Sequence, residues 1–274
     1  MKRSWISFPY LVWMGIFVAV PLLLVIYYSF TAMSSRGMEF SLAGYQKFFE
    51  PVYIKVLFRS VMLALISTVC CLVIGYPLAM ILAGKDLSSK NFLILLFVLP
   101  MWMNFLLRTY AWMTLLERKG LINTFFSFLH LPTIQMLYTN EAVILGMIYN
   151  FLPFMVLPIY SVLKKMDHHV IEAAKDLGAN DITVFWRIVF PLSLPGVVSG
   201  ITMVFMPAVS TFVISRLLGG GQFTLIGNLI EQQFLYVGDW HFGSALSIVM
   251  MILILISMGA MARYEKDYER GGLW

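Results

Sequence analysis

Four histidines, two cysteines and fourteen acidic residues are the groups in this sequence that could hold a metal or attack a bond. Their spacing supports neither chemistry. His130, His168, His169 and His241 are not spaced with cysteines or carboxylates as metal sites are, and no serine lies in a nucleophile motif. Cys70 and Cys71 are adjacent within an apolar run, which gives no disulfide framework; both read as small apolar residues facing lipid or core. The run from Gly84 to Lys90 looks superficially like a phosphate loop. It lacks the upstream glycine and the Ser or Thr directly after the lysine. The chain is therefore expected to bind no cofactor of its own and to catalyse nothing.

What remains is a set of polar residues inside apolar runs. Such residues are costly in lipid and are the default candidates for a transport path. Pro100 removes a backbone hydrogen bond, so the helix should bend there and present Asn104 to a cavity, beside Trp102 and Tyr110. Trp102 and Tyr110 also fit interface packing, and Arg108 reads as a side chain that snorkels outward. Tyr149 and Asn150 repeat the pattern, with Pro153 and Pro158 marking a kinked or deformable helix. Farther along, Asp239 and Trp240 stand beside Phe242 at the mouth of the last apolar run. A carboxylate with aromatic faces suits an organic polycation, through charge pairing and cation–π attraction. Glu231 reads as an ordinary solvated acid.

The elements that must position these residues are membrane helices. The chain is 60% hydrophobic and only 12% charged, with a mean hydropathy of +0.85, outside soluble-globular composition. The net charge of +5 forms no basic stripe, which argues for lipid and against nucleic acid as a partner. Apolar runs predict six spans at about 8–30, 57–83, 92–116, 141–163, 197–218 and 242–262, in a single all-α integral membrane domain covering 1–274. The first run is too long for a signal-peptide core, so it reads as a retained helix. Six crossings put both termini on one side. The basic residues assigned inside, from Lys2 and Arg3 to Arg270, only modestly outnumber those left outside, such as Arg36, Lys47 and Arg216.

Between the fourth and fifth runs lies the longest polar-rich interval, with a cytoplasmic coupling loop at 166–191. Val170, Ala173, Ala174 and Leu177 recur at helical spacing, and Gly178 follows the last of them, where helices commonly end. Asn180 or Asp181 can cap a second helix, which Pro191 and Pro195 are expected to close. Glu172-Ala173-Ala174, then Gly178 after a three-residue gap, then Ile188 after nine and Pro191, resembles the EAA loop of ATP-binding-cassette importer permeases. Phe190 departs from the leucine usual there. The runs LPMWMNFLLRTYAW, YNFLPFMVLPIYS and IGNLIEQQFLYVGDWHFGSALS extend the resemblance to spermidine/putrescine importer permeases.

The resemblance implies a type I ABC importer permease fold in a bacterial inner membrane, with both termini cytoplasmic. It implies coupling through Glu172, Ala173, Ala174, Asp176, Leu177, Gly178 and Ala179 to an ATPase dimer that holds ATP and Mg. It also implies a second, homologous permease and an extracytoplasmic polyamine-binding protein. Two other readings compete: a secondary transporter or channel, which would need buried acids that the runs almost entirely lack, and an importer of an anion contacted by Arg108.

Overall fold

The computed structural model describes residues 4–34, 37–84 and 90–271. Lys2, Arg3 and Arg36, and most of the 84–90 turn, lie outside the described residues. The chain is almost entirely helical; a single two-stranded hairpin among the described residues, Thr31–Ser34 against Gly37–Phe40, follows the first apolar helix.

Five helices are long and apolar enough to cross a membrane: Pro9–Ser29, Pro51–Ala83, Asn140–Lys165, Asp181–Ser210 and Trp240–Arg263. The expected third span is a broken helix instead. Lys90–Val98 passes into a 3-10 turn at Leu99–Trp102, the backbone extends at Met103, and a new helix runs Phe105–Leu116. The expected fifth span is likewise interrupted, at Thr211, before the short helix Val213–Leu218. Proline explains the first break, because it lacks the amide that would continue the ladder.

Elsewhere prolines fail to stop helices. Pro153 and Pro158 lie inside the continuous Asn140–Lys165 helix. Pro191 and Pro195, expected to close the second coupling helix, lie within one helical path from Asp181 to Ser210. A π turn at Phe185–Val189 leads into Pro191, and a wider turn of this kind re-seats the ladder around a missing donor.

Three helices, Pro51–Ala83, Asn140–Lys165 and Asp181–Ser210, make the centre of the bundle. Lipid gives helices no hydrophobic reason to associate, so close approach and buried hydrogen bonds must hold them. Gly196 and Gly200 supply the approach: a Cβ at Gly196 would lie 3.0 Å from the Pro158 carbonyl oxygen, and one at Gly200 2.8 Å from Met155 Sδ. Tyr76 Oη and Ser193 Oγ meet at 2.8 Å in the buried centre. Ser193 also donates to the Phe190 carbonyl at 2.8 Å, so its one proton is committed and Tyr76 is the donor between them. Cys71 is fully buried beside Ile148, as a small apolar residue would be.

Candidate functional site: a capped helical foot and the polar residues of the bundle

Two helices meet in the 166–184 segment. Asp167 caps His168–Asp176, its carboxylate accepting from the His169 amide at 3.0 Å. The helix ends where Gly178 adopts φ +85°, with its amide donating to the Lys175 carbonyl at 2.9 Å and the Ala179 amide to the Ala174 carbonyl at 3.0 Å. This double closure is the usual left-handed helix stop. Asn180 then caps the next helix through the Thr183 amide at 2.8 Å. Lys175 Nζ reaches Asp181 Oδ1 at 2.7 Å across the turn, an exposed pair that adds little to holding the two helices together.

The residues expected to couple divide between two faces. Ala174 and Ala179 pack toward the bundle with Ile171, and Val184 is buried. Glu172, Ala173, Asp176, Leu177 and Gly178 face outward. Leu177 is 89% exposed, the most exposed large apolar side chain among the described residues. Val170, Ile182 and Trp186 are exposed as well. Leu177 therefore stands in solvent on a turn that its two flanking helices hold in place, on a segment with further exposed apolar side chains.

The expected path residues fall into two neighbourhoods. Tyr149 packs edge-on to Trp112, ring centroids 5.3 Å apart, and lines an apolar cavity of about 420 Å³ with Phe97, Pro100 and Pro153. Trp102 stands 77% exposed at the broken helix, and Tyr110 is also exposed. Asn104 acts locally. Its side-chain carbonyl accepts from the Leu106 and Leu107 amides at 2.8 and 3.4 Å, capping Phe105–Leu116. Asn150 is buried and donates to the Gly146 carbonyl at 2.9 Å, while its own side-chain carbonyl has no partner among the described residues.

In the second neighbourhood, Asp239 accepts from the Phe242 amide at 3.0 Å and so caps the last helix. Its other oxygen is 3.8 Å from Lys47 Nζ, which sits 4.2 Å over the Phe242 ring. The carboxylate and aromatic face expected to receive a cargo ammonium thus already hold a lysine. Trp240 packs on Tyr28 and Phe234.

Two charged residues differ from expectation. Arg108 does not snorkel: it is buried, and its Nε and Nη1 have no hydrogen-bond partner among the described residues. Its helix starts at the mid-chain break, which turns the residue inward. Glu231 is not a solvated acid. Its side chain is 14% exposed and bound to Arg216 at 2.9 Å. No signal within either residue's own helix announces these environments.

Residues 61–270 match the family described as binding-protein-dependent transport system inner membrane component. The chain belongs to that family. The permease protein PotB of the Escherichia coli K12 spermidine/putrescine transport system is 40% identical over 266 residues, 94% of this chain and 97% of that one. Among solved structures, a bacterial ABC transporter involved in importing the acidic polysaccharide alginate shares the fold, with a TM-score of 0.80, 16% identity and 96% of each chain covered. The alginate transporter in complex with an alginate-bound periplasmic protein matches with a TM-score of 0.73 and 15% identity, over 97% of this chain and 96% of that one. The chain is thus a multi-pass inner-membrane transport component with the helical fold of ABC importer permeases.

Proposed function

We propose that this permease is one of two membrane subunits of an ATP-driven importer for polyamines. The cargo assignment draws on the identity to the spermidine/putrescine permease over nearly the whole chain. The single observation that carries the mechanism is the capped foot at 168–184, with Leu177 held out from its turn. A nucleotide-driven partner can push such a foot without unfolding it, because its two helices are capped and Ile171, Ala174, Ala179 and Val184 pack it against the bundle. Glu172, Ala173, Asp176, Leu177 and Gly178 would meet the ATPase, while Ala174 and Ala179 transmit the push.

In this reading the foot and both termini lie in the cytoplasm. Counting the broken 90–116 segment as a crossing gives six. ATP and Mg belong to the ATPase dimer, which leaves this subunit non-catalytic. A second permease closes the path, and an extracytoplasmic binding protein delivers the cargo, a partner type seen with the alginate transporter. Trp102, Tyr110, Tyr149, Asn150, Asp239 and Trp240 remain candidate path residues.

The assembled complex in vesicles tests this. Spermidine should accumulate only with ATP and binding protein present. Leu177→Asp should abolish uptake and release the ATPase from the membrane subunits, whereas full uptake in that variant would refute the foot as the coupling surface.

Arg108 favours a second reading, an anionic cargo, since a buried guanidinium whose Nε and Nη1 lack partners among the described residues seeks a carboxylate or phosphate. Charge reversal at Arg108 and at Asp239 separates the two. Loss of uptake at Arg108 alone would count against a cation.

A further inference from the structure

The Asp181–Ser210 helix ends at Thr211, and the chain doubles back as two short helices, Val213–Leu218 and Ile226–Gln232. Irregular backbone beside lipid persists only where protein or water satisfies it. Asn228 does so here. Its amide nitrogen donates to the Phe212 carbonyl at 2.8 Å, and its carbonyl accepts from Ser215 Oγ at 2.5 Å. The Ile226 amide donates to Ser60 Oγ at 2.8 Å, and Gly227 is packed so tightly that a Cβ would lie 2.6 Å from the Ser210 carbonyl oxygen. These contacts pin the hairpin without any ion pair.

An ion pair is nevertheless there. Arg216 Nη1 donates to Glu231 Oε1 at 2.9 Å, and Nη2 donates to Tyr236 Oη at 2.7 Å. The guanidinium carbon lies 5.6 Å from the Tyr236 ring centroid. A π turn at Gln233–Val237 carries Tyr236, and such turns recur at functional sites. The Arg216 side chain is 53% exposed, and a pair with a solvent-facing partner adds little to a fold.

Glu231 also lines a groove of about 580 Å³, with Phe212, Phe234, Met250 and Leu255 among its apolar walls and Ser210 and Ser247 at its polar points. Ser210 is the last residue of its helix, so the negative pole of that helix opens here. Interrupted membrane helices use such ends to hold cations. A carboxylate and a helix C-terminus along an apolar groove, with the Tyr236 ring outside the groove but sharing the carboxylate's guanidinium partner, match one chemistry: a primary ammonium on an alkyl chain.

We propose that Glu231 and Tyr236 receive one ammonium group of the cargo, and that Arg216 occupies their site until the cargo displaces it. The inference rests on the polyamine reading above and adds a contact to it. Asp239 is the poorer receiver. One of its oxygens is committed to capping the last helix.

The test is radiolabelled spermidine uptake per purified complex, in vesicles holding both permeases and the ATPase, at saturating spermidine-loaded binding protein. Glu231→Gln should slow uptake about tenfold, the equivalent of about 1.4 kcal/mol of lost contact. Glu231→Asp should retain more of the rate than Glu231→Gln. Arg216→Gln should match or exceed the wild type, because it removes a competitor. A pair that only braces the fold predicts equal losses at both positions. Equal losses, or a full rate in Glu231→Gln, would overturn the proposal. Should Glu231→Gln fail to assemble, Arg216→Gln decides, and a rate below wild type overturns the displacement idea. If the wild-type vesicles take up neither spermidine nor putrescine, the polyamine reading itself falls and takes this inference with it.

Discussion

At the scale of the residue, the buried Tyr76–Ser193 contact separates two losses that look alike. Tyr76→Phe removes a donor while Ser193 keeps its bond to Phe190, so the net cost is that of one hydrogen bond, about 1 kcal/mol. Ser193→Ala strands the Tyr76 hydroxyl in the apolar centre, and an unsatisfied buried donor costs about 1–3 kcal/mol. Thermal unfolding of the purified chain in detergent should rank Ser193→Ala as the more damaging change, and the reverse order would contradict the donor assignment. Gly178 is a second case. Nothing lies within 4 Å of a Cβ built there, so Gly178→Ala meets backbone strain alone, about 1–2 kcal/mol for a left-handed residue. The chain should still insert, but uptake by the assembled complex should fall, because the strain loosens the turn that carries Leu177.

At the scale of the element, Asn104 shows how a sequence can point to the right place for a different reason. A polar residue after Pro100 reads as a group offered to a cavity, yet its carbonyl starts a new helix. Serine also caps helices and alanine does not, a difference of about 1 kcal/mol. Asn104→Ser should therefore preserve uptake and stability where Asn104→Ala lowers both. A direct cargo contact through the amide would make the two variants equally poor. The turn of the coupling segment is legible for the opposite reason, since Gly178 and Asn180 act on neighbours within three residues. Helix interruptions were harder to read. Hydropathy averages across Met103 and Thr211, so each run looks like one span. The prolines at 153, 158, 191 and 195 could not be told from Pro100, because tertiary packing decides whether a missing amide breaks a helix or is absorbed.

At the scale of the whole molecule, the pairs that matter span long stretches of chain: Lys47 with Asp239, Arg216 with Glu231 and Tyr236, Ser60 with Ile226. Local periodicity cannot reveal them, which is why Glu231 reads as solvated from sequence alone. Arg108 carries a prediction at this level. Among the described residues nothing accepts from its Nε or Nη1, and a buried charge without a partner is strongly unfavourable. Arg108→Met should raise the unfolding temperature of the isolated chain in detergent. It should give no such gain in the assembled importer if the second permease supplies the acceptor.

The bond from Ile226 to Ser60 has a mechanical meaning. It ties the reversing hairpin to the long Pro51–Ala83 helix of the bundle's centre. In the proposed importer, a tilt of that helix would carry the hairpin with it, so movement at the foot and at the far end of the chain's path would share one rod.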